Sequence, residues 1–174
     1  MLKNSEIEIN TTNNLVVEIK IKSPNSGNLY SLADSGFGYS QVLPIVVKGL
    51  QAKPGSVLIV EQPELHLNPA LQVRLASFFV AMMRADKQIL IETHSEHIVN
   101  AIRVITAEDE SGKLAGKCGI FFIDAESEIP VIHELSIKSD GTIPDLPKHF
   151  FGEAISLSGR LLRAQRRFRT QIKN

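Results

Sequence analysis

Two short segments of this chain set acidic, amide and imidazole side chains directly after apolar runs. Glu61-Gln62-Pro63-Glu64 follows Val57-Leu58-Ile59-Val60, and Glu92-Thr93-His94-Ser95 follows Gln88-Ile89-Leu90-Ile91. Continuous apolar runs of this length suit strands buried on both faces of a sheet. In open α/β sheets, ligands bind outside the carboxyl ends of such strands. If the two strands are neighbours, Glu61 and His94 converge on one edge. A third segment, Ser35-Gly36-Phe37-Gly38, precedes a helical pattern, and the free N–H groups at a helix start suit an anion.

The elements that must position these residues can be read from periodicity. Residues 5–11 and 15–22 alternate and predict two half-buried strands, with a polar turn at Thr11 to Asn14. A short strand at about 28–33 leads to the glycine-containing segment, and helical spacing runs from Tyr39 to about Leu50, with Pro44 a possible kink. A helix is expected from Pro69, since proline fits a first helical position. Ser95 is a good N-cap for another, ending near Thr106. Ile120-Phe121-Phe122-Ile123 and Pro130 to Ile137 predict two more strands. This order implies an α/β fold, with a largely parallel sheet flanked by helices.

Composition sets bounds. The chain has 174 residues, enough for one domain with a real core, and 43% of them are hydrophobic. Lysine plus arginine equals aspartate plus glutamate at 19 each, so net charge points to no nucleic-acid or membrane partner. The single cysteine, Cys118, excludes a disulfide framework and makes a cytoplasmic location the expectation. No apolar run approaches the roughly 18 residues of a membrane span, and no secretory signal is expected at the start. Residues 158–174 carry Arg160, Arg163, Arg166, Arg167, Arg169 and Lys173 with no acid. They are expected to form a basic helix; a solvated helix end is the ordinary reading, and contact with a phosphate backbone or an acidic partner the other.

The chain resembles the second half of an ATP-binding cassette (ABC-type P-loop ATPase head) of the branch that includes RecF, SMC proteins and overcoming-lysogenization-defect (OLD) type ATPases. Within it, the similarity is to bacterial AAA-type ATPases, antiphage-defence ATPases of the Septu kind among them. Ser35-Gly36-Phe37-Gly38-Tyr39-Ser40-Gln41 resembles the signature loop, and Val57 to Glu64 the Walker B strand with its acidic end. Leu65-His66-Leu67-Asn68-Pro69 resembles the D-loop, and Ile91 to His97 the switch-histidine strand. Asp140-Gly141-Thr142 through His149-Phe150-Phe151 is similar to the closing segment of that group. Four motifs in order carry the resemblance across nearly the whole chain. Residues 1–157 would then be the C-terminal lobe of the ATPase domain.

The resemblance implies roles. Glu61 would hold magnesium through its water shell, magnesium preferring hard oxygen ligands. Gln62 stands where many cassettes have the glutamate that polarises the attacking water; a glutamine can orient water but cannot take its proton. Glu64, two residues on, is the candidate to compensate. His94 would sense the γ-phosphate, and Asn68 belongs to the D-loop. Ser35, Gly36 and Gly38 would meet nucleotide held by an opposite subunit, so ATP and Mg2+ are expected in a completed, dimeric site. His97 is expected at the surface or facing a partner. Asp124-x-Glu126 resembles the acidic pair of Toprim nucleases but has no companion glutamate motif, so loop acids are the expectation.

No Gly-x-x-x-x-Gly-Lys-Ser/Thr occurs; Ser111-Gly112-Lys113-Leu114 lacks the first glycine and the hydroxyl. Without that loop the phosphates lose their main cradle. The leading expectation is therefore an ATPase half that needs an N-terminal, Walker A-bearing half or a full-length relative, acting in DNA-related or antiphage-defence processes, with nucleic acid or an effector nuclease as a possible partner. The alternative is a non-catalytic docking module that supplies its signature loop to a full-length relative. A metal-dependent hydrolase using Glu61, Glu64, His66 and His94 is disfavoured, because those types can bind metal but no compact motif such as His-Glu-x-x-His is present.

Overall fold

A computed structural model of the chain describes residues 6–12, 16–22, 26–32, 37–124, 129–147, 150, 157 and 159–165. Ser35, Gly36, Glu126, Arg166, Arg167, Arg169 and Lys173 lie outside these residues. The chain divides into two compact units, Met1–Ile102 and Arg103–Asn174.

In the first unit, β1 (Ile7–Thr12), β2 (Val16–Lys22) and β3 (Leu29–Ser31) form an antiparallel sheet in that order, with Ile9 opposite Ile19 and Ile21 opposite both Ile7 and Tyr30. Alternation predicts two half-buried strands. The central strand β2 buries Ile21, whereas Ile7 and Ile9 of β1 remain exposed, since β1 is an edge.

Helix α1 (Phe37–Gln51) runs through Pro44, then β4 (Val57–Glu61), α2 (Pro69–Arg84), β5 (Gln88–Glu92) and α3 (Glu96–Ala107) alternate as expected. β4 and β5 pair in parallel, Val57 beside Gln88 through to Glu61 beside Glu92. Val60, Leu67, Leu75 and Phe79 form a buried cluster, against which Val42 and Ile45 of α1 and Ile89 and Ile91 of β5 pack. On another face of α2, Ala76 forms a second buried cluster with Ile98 and Ala101 of α3, and Ile102 packs against it. Burying such side chains is worth about 1.5–3 kcal/mol for each large one.

One expectation needs correction. The apolar runs predict strands buried on both faces, but Val57, Ile59 and Leu90 are 56%, 70% and 53% exposed. Hydropathy records a need for cover, and the described residues supply it on the helix side only, through Leu58, Val60, Ile89 and Ile91.

Lys87 is buried, and its ammonium donates to the Gly49 carbonyl at 2.8 Å. That carbonyl lies in the last turn of α1, where acceptors lack intrahelical donors and a cation is favoured. A charged hydrogen bond of this kind is worth about 1.5–3 kcal/mol.

In the second unit, β6 (Gly119–Asp124) pairs antiparallel with β7 (Val131–Ser136), so parallel order holds for β4 and β5 and not for this pair. A turn at 138–142 follows, with Gly141 at φ +77°. Arg103 Nε donates to the Gly141 carbonyl at 2.8 Å, and a Cβ on Gly141 would sit 2.7 Å from the Arg103 carbonyl oxygen. Only glycine fits there. Residues 159–165 are helical and leave Arg160 and Arg163 exposed. Among the described residues no helix is long and apolar enough to cross a membrane.

Candidate functional site

Parallel pairing carries the ends of β4 and β5 to the same edge. The Gln62 N–H donates to the Glu92 carbonyl at 2.8 Å, which extends the ladder one step beyond Glu61 and fixes the two exits side by side. Gln62 itself adopts φ +44° and His66 φ +60°, so the connection to α2 turns sharply twice. It closes through Leu65 N–H to the Gln62 carbonyl and Leu67 N–H to the Glu64 carbonyl. Asn68 ends it by accepting the Leu71 N–H on Oδ1 at 3.0 Å, an N-cap ahead of Pro69.

Across the edge, the loop from β5 to α3 is tied to that connection by side chains. Glu64 accepts the Thr93 hydroxyl on Oε2 at 2.8 Å and the His94 N–H on Oε1 at 2.7 Å. Thr93 Oγ1 in turn accepts the Ser95 N–H at 3.0 Å. Ser95 Oγ accepts the Ile98 N–H at 3.1 Å, capping α3, and donates to Gln72 Oε1 at 2.6 Å. Gln72 Nε2 donates to the Leu67 carbonyl at 2.8 Å. Each hydroxyl and the amide uses both a donor and an acceptor. Two donor chains leave Ser95, one from its N–H through Thr93 to Glu64 and one from its hydroxyl through Gln72 to the Leu67 carbonyl.

Gly38, at the start of α1, lies against the same connection. A Cβ there would be 3.2 Å from the His66 carbonyl oxygen and 3.3 Å from Leu67 Cδ2. Close packing thus gives Gly38 a reason to be glycine independent of any ligand.

Glu61, Glu64, Gln62, Asn68 and His94 are therefore gathered on two adjoining loops, with Gly38 beside them. The Glu61 and His94 side chains are exposed, Gln62 and Glu64 are half-buried, and His97 is exposed on α3. Sequence reasoning assigned no role to Glu92, Thr93 or Gln72, and gave Ser95 only that of capping α3, which it fills. Glu92 could have been found from the parallel register, which sets its Cα beside that of Glu61. Gln72 had no such signal, since its partner Ser95 is 23 positions away.

Glu61 and Glu92 suit a hard divalent cation. Among the described residues no three His, Cys, Asp or Glu side chains come close enough together to hold a metal ion. Magnesium commonly takes one or two carboxylates and completes its octahedron with water and phosphate, so this donor set fits a nucleotide-bound ion better than a free one.

Residues 1–99, more than half of the chain, match the AAA ATPase domain family, and the chain belongs to it. The fold is similar to that of a solved SMC ATPase described in terms of ATP-driven dimerization and DNA-stimulated activation. The two share 13% identity over 77% of this chain and 75% of that one, with a TM-score of 0.56. No curated protein matches the chain. The protein is thus an ATP-binding ATPase domain of mixed α/β fold, and ATP with Mg2+ is the ligand pair its family implies.

Proposed function

We propose that the β4–β5 edge is the catalytic side of an ABC-type ATPase site whose phosphate-cradling loop comes from an N-terminal half or a full-length relative. The carrying observation is that the parallel register and the Glu64 bridge hold the Glu61 and His94 loops together at one sheet edge. Glu61, with Glu92 beside it, would hold the magnesium, which neutralises charge on the phosphates when bound. Gln62 would orient the attacking water and His94 would hydrogen-bond the γ-phosphate. Ser35, Gly36 and Gly38 would serve nucleotide on an opposite subunit, which makes the working unit a dimer. The similarity to an SMC ATPase supports a dimeric, DNA-directed role, and antiphage defence is the process we favour.

The test is ATP turnover after complementation with a Walker A-bearing half. Glu61→Ala or His94→Ala should remove most turnover while leaving the melting temperature nearly unchanged. The chain without that half should hydrolyse ATP hardly at all. Gln62, a carboxamide where a proton acceptor is usual, favours a second reading: a docking module that lends its signature loop to an active relative. In that case Glu61→Ala would leave the turnover of the complex intact.

A further inference from the structure

We propose that Glu64 is a positioning residue whose carboxylate locks the loop carrying His94 to the D-loop connection, and that it is not the base that takes the water proton. The proposal rests on reading this edge as the nucleotide site. Both oxygens of Glu64 already accept hydrogen bonds, from the Thr93 hydroxyl at 2.8 Å and the His94 N–H at 2.7 Å. A base needs a lone pair aimed at water, and the short bond to a backbone N–H holds one oxygen on the loop instead. The carboxylate spans 30 positions of sequence and holds the main chain on which the His94 imidazole stands.

The second half of the lock runs the other way. The Ser95 N–H donates to Thr93 Oγ1, the Ser95 hydroxyl donates to Gln72 Oε1, and Gln72 Nε2 donates to the Leu67 carbonyl. The connection between β4 and α2 is therefore gripped at Glu64 and at Leu67, and the loop after β5 at Thr93, His94 and Ser95. A shift of one loop drags the other. Partner contacts made by the D-loop would in this way reach the histidine of the same subunit.

The lock can be read without nucleotide, from amide exchange and amide NMR of the intact chain. In Glu64→Gln the carboxamide keeps one acceptor and its NH2 can only donate, so even where Thr93 Oγ1 turns to accept from it, the bond from the His94 N–H is no longer to a charged group. The His94 N–H should then exchange about tenfold faster or more, as expected for loss of a charged hydrogen bond. Thr93→Val should do the same to the Ser95 N–H, and Thr93→Ser should retain protection at both.

In the complemented ATPase, Glu64→Gln and Thr93→Val should each lower kcat about tenfold or more. KM for ATP should stay within about twofold, and Thr93→Ser should keep its activity. Thr93→Val leaves the Glu64 carboxylate in place, so a loss confined to Glu64→Gln would mean direct proton transfer and overturn the proposal. Unchanged His94 exchange in Glu64→Gln would overturn it as well. Turnover abolished by His94→Ala but indifferent to both variants would sink the lock and keep the nucleotide site. Faster exchange with turnover indifferent even to His94→Ala would sink the nucleotide site, and the proposal with it.

Discussion

Glu61 and Glu92 stand side by side at the carboxyl ends of β4 and β5, register partners in a parallel pair, both exposed. Two like charges so placed are better accommodated with a cation beside them.

Neutralising one of them should therefore help the chain without magnesium. Like charges facing each other on neighbouring strands are destabilising. Glu92→Gln should raise the melting temperature slightly in low salt, and the gain should shrink as salt screens the pair. In the complemented ATPase the same change should raise the magnesium concentration needed for half-maximal turnover. Thermal melts across a salt series check the first part, and a lower melting temperature would contradict it.

Gln62 invites a gain-of-function test. A general base typically contributes about 10²–10⁴-fold, so Gln62→Glu should raise turnover of the complemented ATPase toward that range if Gln62 orients the attacking water. Steady-state ATP hydrolysis measures it. Unchanged turnover, in a complex that Glu61→Ala still kills, would remove Gln62 from the chemistry.

The open face of the β4–β5 pair should govern solution behaviour. Val57, Ile59 and Leu90 present contiguous apolar surface on short strands, a combination that invites association. Light scattering of the chain should rise with concentration, and Ile59→Lys should suppress that rise without lowering helix content. A clean monomer for the unmodified chain over a wide concentration range would argue against it.

Burial pushes the Cys118 thiol above its ordinary range. The neutral thiol is thus favoured in the folded chain, and its contribution to stability is fully present below the unfolded thiol pKa. It is lost as pH rises through the higher folded value. Since the thiolate is the nucleophile, alkylation by iodoacetamide should climb at higher pH in the native chain than in the denatured one. Coincident pH–rate curves would refute this.

Much of the arrangement was legible in the residues. The Pro69 start, the Ser95 cap and the strands at Val57, Gln88, Ile120 and Val131 follow from local rules of periodicity and capping, and the structure has them. The convergence of Glu61 and His94 needed only that β4 and β5 be neighbours. What stayed hidden depends on contacts distant in sequence. Nothing near Glu64 shows that its carboxylate will grip the His94 amide, and nothing near Lys87 shows that its ammonium will end α1. The two-sided burial expected of β4 failed for a related reason, because a hydropathy run does not say which neighbours provide the cover.

The backbone at Gln62 has a consequence for anyone who would engineer this edge. A side chain held at φ +44° is disfavoured by roughly 1–2 kcal/mol, a penalty glycine escapes. Stability-guided redesign would therefore steer this position toward glycine and obtain a sturdier protein with nothing there to steer water. Glutamine and glutamate share the penalty almost equally, so exchanging them alters the chemistry on a nearly constant conformational background. Position 62 is thus a place where ranking variants by melting temperature and ranking them by turnover should give opposite orders.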